Sequence, residues 1–215
     1  MQIETTGILI NIKPFSERDA VAHIFTKNNG VLVGMLRGGV SAKKNKPLVG
    51  QCGNVSWVAR LDSQLGVFHW EAEKNLSAPL ILNPELLKIM NAVFSLVFTL
   101  LPERESYENL YNETFNLLTD LPNSQNPRAR YLQWEIVLLR ELGYALDLSK
   151  CSGCGRTDNL RYLSPRTGRA VCVECGEPYR GRLYDLPLNQ DTTLRFISGI
   201  CDIQGTDVPP ARKML

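Results

Sequence analysis

The pattern of apolar and polar positions changes character near residue 83. Before it, the chain predicts short strands. Ile3 to Ile12 has mixed apolar content around Ile8-Leu9-Ile10. Ala20 to Phe25 and Val31 to Leu36 flank Asn28-Asn29-Gly30, residues that accept positive φ and so mark a hairpin turn. Val55 to Leu61 and Val67 to Glu71 flank a second turn at Asp62-Ser63-Gln64. Five short strands suggest a small barrel, with any other small all-β module as the alternative.

After Asn83 the period becomes helical. Asn83-Pro84 and Asn126-Pro127 each place a capping residue before a proline suited to the first helical position. The first helix is predicted from Pro84 to Leu101, stopped by Pro102. Its apolar residues, among them Leu86, Ile89, Met90, Val93, Val97 and Phe98, cover most of the circumference, which predicts a central position in a bundle. The second is predicted from Glu105 to Leu121, with Tyr107, Leu110, Tyr111, Phe115 and Leu118 opposite an acidic face. The third runs from Arg128 to Leu142 and ends at Gly143. Tyr131, Leu132, Trp134, Ile136, Val137, Leu138 and Leu139 make it largely buried, and stripes at this spacing point to core packing. A further helix is predicted from Asp191 to Ile200.

A length of 215 residues suffices for one large core or two to three small modules, and 44% hydrophobic with 21% charged residues is ordinary for a folded protein. The net charge of +2 announces no partner, but its distribution does. Residues 1–46 carry seven Lys/Arg against three Asp/Glu, whereas residues 83–122 carry two against six. Only the amino-terminal part suits phosphate backbones, and for a basic small barrel the OB-fold is the commonest nucleic-acid-binding version. The start, Met1-Gln2-Ile3-Glu4-Thr5, lacks the pattern of a secretory signal. The apolar stretch from Ile89 to Leu101, interrupted by Asn91 and Ser95, is too short to cross a bilayer. The expected compartment is the reducing cytoplasm, where paired cysteines more often hold metal or do redox work than form disulfides.

The strongest chemical signal is Cys151-Ser152-Gly153-Cys154, followed after seventeen residues by Cys172-Val173-Glu174-Cys175. This is the paired spacing of a zinc ribbon, with Gly155 and Gly176 after the pairs and a predicted hairpin, Arg161 to Leu163 and Arg169 to Val171, between them. Four thiolates leave no open position for water, which points to structural rather than catalytic zinc. A dithiol redox site needs only one pair, and a zinc deaminase needs a His-x-Glu that neither His23 nor His69 supplies. Cys52 and Cys201 read as small buried hydrophobes.

The segment Arg37-Gly38-Gly39-Val40-Ser41-Ala42-Lys43-Lys44-Asn45-Lys46 carries four positive charges and no negative one. Its glycines would let backbone amides approach a phosphate, and its cations could displace counterions with little sequence preference. A solvated loop is the other reading. Phe15, Phe25, Trp57 and Phe68 are either stacking surfaces for bases or barrel core, and alternation does not decide which.

Three stretches resemble the bacterial recombination-mediator and DNA-repair family RecO. They are Gly7-Ile8-Leu9-Ile10 through Phe15-Ser16-Glu17-Arg18-Asp19-Ala20 to Asn28-Asn29-Gly30; Arg37-Gly38-Gly39 with the lysines after it; and Trp134-Glu135 through Leu138-Leu139-Arg140-Glu141-Leu142-Gly143-Tyr144 into Cys151-x-x-Cys154-Gly155. The last is the most specific. The resemblance implies an α+β multidomain chain. Its parts would be an OB-fold over 1–80, a helical domain over 81–150 continued at 186–215, and a zinc-ribbon insertion over 151–185. It implies binding of single- and double-stranded DNA, annealing of complementary strands, contact with the acidic tail of single-stranded DNA-binding protein, and partnership with RecR in loading recombinase. A cytoplasmic, nucleoid-associated place and no catalytic step go with that role. By position, Arg37, Lys43, Lys44 and Lys46 would contact DNA, and Cys151, Cys154, Cys172 and Cys175 would bind zinc. Some family members lack the cysteines. The tail-binding pocket is not placed by the resemblance; Arg128, Arg130 and Arg140 are candidates because an acidic peptide needs cations beside an apolar groove. The rival classes are a zinc-ribbon RNA-binding protein of transcription or translation, a zinc-dependent enzyme, and an interaction scaffold whose basic loop is merely solvated.

Overall fold

The computed structural model describes residues 1–40, 46–60, 65–144 and 146–215. Five strands come first: β1 (Gln2–Pro14), β2 (Ala20–Thr26), β3 (Gly30–Leu36), β4 (Gln51–Val58) and β5 (Gly66–Asn75). Helices α1 (Pro84–Leu100), α2 (Glu108–Asp120) and α3 (Pro127–Glu141) follow. Then come β6 (Leu160–Leu163), β7 (Ala170–Cys172), α4 (Val173–Gly176), β8 (Tyr184–Asp185), α5 (Gln190–Gln204) and α6 (Pro210–Lys213). Among the described residues, no helix is long and apolar enough to cross a membrane. The turn expected at Asp62-Ser63-Gln64 lies outside the described residues. The chain gathers into two units, Met1–Pro127 with Pro209–Leu215, and Arg128–Val208.

In the first unit the strands close into a barrel in the order β1-β2-β3-β5-β4. The long β1 serves two neighbours. Gln2 to Ile8 pair with β4 and Gly7 to Pro14 with β2. A register irregularity between Leu9 and Asn11 falls where the strand passes from one partner to the other, the bend that such a bulge produces. Leu9, Ile24, Leu32, Val55, Trp57 and Phe68 fill the interior. Ile8 and Ile10 are buried too, at 0% and 4% exposure, so this part of β1 is covered on both faces and reads as a continuous apolar run instead of an alternation.

The outer covering is helical. The Phe25 ring meets Tyr111 of α2 edge-on at 5.6 Å, and His23 meets Phe98 of α1 at 4.7 Å. Asn83 caps α1 by accepting from the amides of Glu85 (3.0 Å) and Leu86 (3.4 Å), as its place before Pro84 predicts. Helix α2 starts at Glu108, three residues later than the spacing predicts, because Glu103 to Glu105 lie against the barrel. The amide of Arg104 donates to the carbonyl of Val31 at 3.1 Å, and a Cβ at Gly30 (φ +62°) would sit 1.8 Å from the Glu105 oxygen.

Barrel closure rests on a short parallel ladder: Gly34 opposite Gly66, Met35 opposite Val67, Leu36 opposite Phe68. The buried Trp57 ring lies under it and its Nε1–H donates to the Val33 carbonyl at 2.9 Å. Both glycines are dictated by space. A Cβ at Gly66 would lie 2.1 Å from the indole, and one at Gly34 would lie 2.9 Å from the Gly66 oxygen and the Phe68 ring.

In the second unit α3 buries Tyr131, Trp134, Leu138 and Leu139. Leu132, Ile136 and Val137, which periodicity assigns to the core, are only half-buried, while Glu135 is fully buried. Its carboxylate accepts from the Tyr131 hydroxyl and from Thr193 Oγ1 of α5, both at 2.6 Å, so the burial of charge is met by short hydrogen bonds. Helix α5 exceeds its expected length at the carboxyl end and stops at Gly205 in the left-handed region (φ +67°). The remaining strands form a sheet in the order β7-β6-β8, and Tyr184 of β8 packs edge-on against Phe196 of α5 at 5.4 Å.

Gly66→Ala is expected to destabilise the chain by about 3 kcal/mol or more, since a rigid ring must move to admit the methyl. Urea unfolding checks this, and a midpoint equal to wild type would mean that Trp57 is free to shift.

Candidate metal centre and nucleic-acid interface

The four cysteines come together as their spacing predicts. Their sulfurs all lie within 4.8 Å of one another, and Cys154 and Cys172 are 3.7 Å apart. Sulfurs around a tetrahedral zinc with bonds near 2.3 Å stand about 3.8 Å apart, so the donor set and its spacing fit a four-thiolate ion. Local backbone builds the site. The amide of Gly155, at φ +77°, donates to the carbonyl of Cys151 at 2.9 Å and closes the first knuckle. Cys172 ends β7 and Cys175 sits on the single turn of α4. A Cβ at Gly176 would lie 2.2 Å from the Tyr162 ring, so only glycine lets this turn approach β6 so closely. Arg156 after the first pair reaches Glu174 within the second at 2.9 Å.

Burial pushes the Cys151 thiol up, but amides of Cys172, Cys154 and Gly153 converge on its sulfur and bring it down to about 6. Cys175 is pushed up to about 12, first by hydrogen bonding to the sulfurs of Cys172 and Cys154 and then by burial. Thiol ligands bind metal as thiolates, so a cation held by all four sulfurs would release protons on binding. Cys52 and Cys201 are buried and apart from this cluster.

The basic segment leaves the barrel at the end of β3. Arg37 and Lys46 are exposed at its two ends; Lys43 and Lys44 lie outside the described residues. The amides that the glycine pair would offer to a phosphate are already engaged. Gly38 donates to Asp19 Oδ1 at 2.9 Å, Gly39 to the Leu36 carbonyl at 3.2 Å, and Val40 to the Arg18 carbonyl at 3.0 Å. Anion binding here falls to side chains. The same bonds fasten the segment to the β1–β2 turn, which is itself braced: Ser16 Oγ accepts from the amides of Arg18 and Asp19. Arg18 and Phe15 are thereby placed on a turn tied to Arg37. The role of Asp19 is invisible in the sequence beyond its membership of the Ser-Glu-x-Asp stretch.

The aromatic residues divide clearly. Phe25, Trp57 and Phe68 are buried core at 0%, 0% and 4% exposure, while Phe15 is 65% exposed. A concavity of about 710 Å³ lies elsewhere on the barrel wall, where Glu4 and Glu71 accompany Lys27. Lys27 also pairs with Glu108 at 3.8 Å, so this groove does not favour phosphate. In the other unit, Arg161, Arg166 and Arg169 of the ribbon are distributed along its hairpin, Arg128 bonds Gln190 at 3.4 Å, Arg130 is half-buried and Arg140 is exposed.

Two family models match the chain: Recombination protein O N terminal over residues 1–72, and Recombination protein O C terminal over residues 82–205. The chain is 37% identical over 190 residues to the DNA repair protein RecO of Rhodopseudomonas palustris, covering 87% of this chain and 75% of that protein. It is 38% identical over 191 residues to the DNA repair protein RecO of Rhodospirillum centenum, covering 87% and 76%. Against the DNA repair protein RecO of Rickettsia bellii it is 37% identical over 190 residues, covering 87% and 77%.

Asp19→Ala removes a carboxylate acceptor from the Gly38 amide, a bond of about 1.5 kcal/mol or more. Hydrogen exchange at Gly38 and Val40 is expected to quicken by roughly tenfold, with the β4 amides unchanged. Unaltered exchange at both would show that the segment is held by other bonds.

Proposed function

The chain belongs to the RecO family of DNA-repair and recombination proteins, and on that premise we propose that it is a non-catalytic mediator that binds single- and double-stranded DNA and anneals complementary strands. The observation that carries this reading is the start of the basic segment, Arg37 to Val40, fastened at one end of the barrel to a turn that bears an exposed aromatic and a second arginine. Annealing breaks no covalent bond. It requires that the repulsion between two phosphate backbones be neutralised while bases find partners. Arg37, Lys43, Lys44 and Lys46 do the first by displacing counterions, and they contact backbone rather than base edges, so sequence preference is weak. Phe15 and Arg18 add a stacking face and a cation on the adjoining turn. Binding to the acidic tail of single-stranded DNA-binding protein localises the mediator on coated strands, and RecR joins it in loading recombinase. The work belongs in the reducing cytoplasm, at the nucleoid.

The test is annealing of two complementary fluorescent strands coated with single-stranded DNA-binding protein, across a salt series. Acceleration that fades with salt supports the reading. Binding without acceleration moves the chain toward an RNA-directed role, where the 2′-hydroxyl could carry selectivity. Lys43, Lys44 and Lys46 changed together to alanine are expected to flatten the slope of log affinity against log salt by roughly two to three units, about 0.9 for each phosphate that is no longer neutralised. An unchanged slope places the DNA site elsewhere.

Cys151, Cys154, Cys172 and Cys175 hold one structural zinc. The ion supplies cross-linking of two knuckles rather than chemistry, because four thiolates leave no position for water. Elemental analysis of the purified chain is expected to give about one zinc per chain, the capacity of a single four-thiolate site. Cys154→Ser is expected to lower both that content and thermal stability while leaving the barrel's DNA affinity near wild type. Full stability in a zinc-free variant would remove the structural role.

A further inference from the structure

The parallel ladder that closes the barrel stops at Leu36 opposite Phe68. Beyond that pair β3 turns away at Arg37, while β5 continues through His69 and Trp70. A cleft of about 430 Å³ lies among the diverging segments, lined by Arg37, Gly38, Gly39, Pro47, His69 and Trp70 among others. That volume falls within the usual range for sites that take small planar ligands. Among the described residues no carboxylate lines it, and Arg37 stands exposed at its edge.

Trp70 is the informative residue. It packs partly against the barrel core, and its Nε1–H is buried with no acceptor among the described residues. Trp57, by contrast, donates its Nε1–H to a backbone carbonyl. Buried indole N–H groups normally find a partner, and this donor has none among the described residues. A nucleobase offers both a flat face for the indole and ring or carbonyl acceptors for the N–H. In a duplex those faces are stacked against neighbouring pairs; in a single strand they are free.

We propose that the cleft where β3 and β5 part takes one unpaired nucleobase, with Trp70 as its aromatic wall and Arg37 on the adjoining phosphate. The assignment rests on the DNA-binding reading above and deepens it: the basic segment holds any DNA backbone, while the cleft recognises that a base is unpaired. The barrel thereby prefers single strands without reading sequence.

The full chain provides an internal probe, because Trp57 and Trp134 are fully buried and Trp70 is the half-buried indole. Oligo(dT) of fifteen nucleotides and a hairpin duplex with the same number of phosphates are titrated at one salt concentration. Tryptophan emission is followed alongside the anisotropy of labelled DNA. The expected result is quenching by oligo(dT) and little change with the duplex. Trp70→Leu is expected to lower oligo(dT) affinity by about tenfold, within the range for one base–aromatic stack, and to leave duplex affinity unchanged. Trp70→Phe restores part of the loss. Binding of both DNAs by anisotropy with emission unaltered in the unsubstituted chain overturns the cleft assignment and leaves the DNA-binding reading standing, whether or not the variants fold. Equal oligo(dT) affinity in wild type and Trp70→Leu overturns it as well. Absence of any anisotropy change with either DNA defeats the DNA-binding reading and the cleft assignment together.

Discussion

Three parallel residue pairs between β3 and β5 hold the amino-terminal half of this chain in its working shape. Parallel pairing over so short a length is weak by itself, and here two other features support it. Glycines at 34 and 66 allow the strands and the Phe68 ring to approach closely, and the Trp57 ring fills the space beneath them with its N–H bonded to Val33. Closure also places the functional groups. The basic segment leaves from the end of β3, and Trp70 follows two residues after the last β5 partner, so loosening the ladder would displace both.

Charge is organised by position rather than amount. The chain's net charge of +2 would never predict a polyanion ligand. The three amides from Gly38 to Val40 are engaged by Asp19, Leu36 and Arg18, which converts a flexible glycine pair into a fixed departure point. Arg37 thus stands at a fixed end of the barrel, while the carboxylates of Glu4 and Glu71 occupy a different wall. The metal centre is built independently, from backbone amides and glycines close to the cysteines in sequence. Each knuckle is a local turn, and the hairpin between them, together with the Arg156–Glu174 pair, sets their separation.

How much of this is legible in the sequence follows from how local each cause is. The knuckles, the cap at Asn83 and the Asn28-Asn29-Gly30 turn are short-range devices, and the sequence displays all three openly. The barrel and the fourfold sulfur cluster are anticipated, the former through strand count and resemblance and the latter through spacing. Periodicity fails where both faces of an element are covered, as at Ile8-Leu9-Ile10, or where a polar residue enters the core with partners distant in sequence. Glu135 is the clearest case: its place is secured by Thr193, 58 residues away, and no window around α3 contains that information. Whether Phe25, Trp57 and Phe68 face a ligand or the interior is likewise undecidable from alternation, because an OB-type wall uses aromatics for both purposes. Burial settles it for those three and leaves Phe15 as the exposed ring.

The two tryptophans of the barrel are placed differently within a single sheet. Trp57 and Trp70 lie on neighbouring strands, at positions two register steps apart: Trp57 pairs with Phe68, and Trp70 with Val55. Both direct bulk toward the interior, yet their N–H groups differ in fate. Under the ladder, β3 is close enough to provide a carbonyl, and Trp57 takes it. Beyond the ladder β3 turns away at Arg37, and among the described residues the Trp70 N–H has no acceptor. Three features coincide where β3 leaves: the start of a basic segment, a cleft, and a buried indole donor without an acceptor among the described residues. A ligand that supplies negative charge for the first, a flat apolar surface for the second and an acceptor for the third meets all the requirements that the geometry leaves open, and an unpaired nucleotide has that combination.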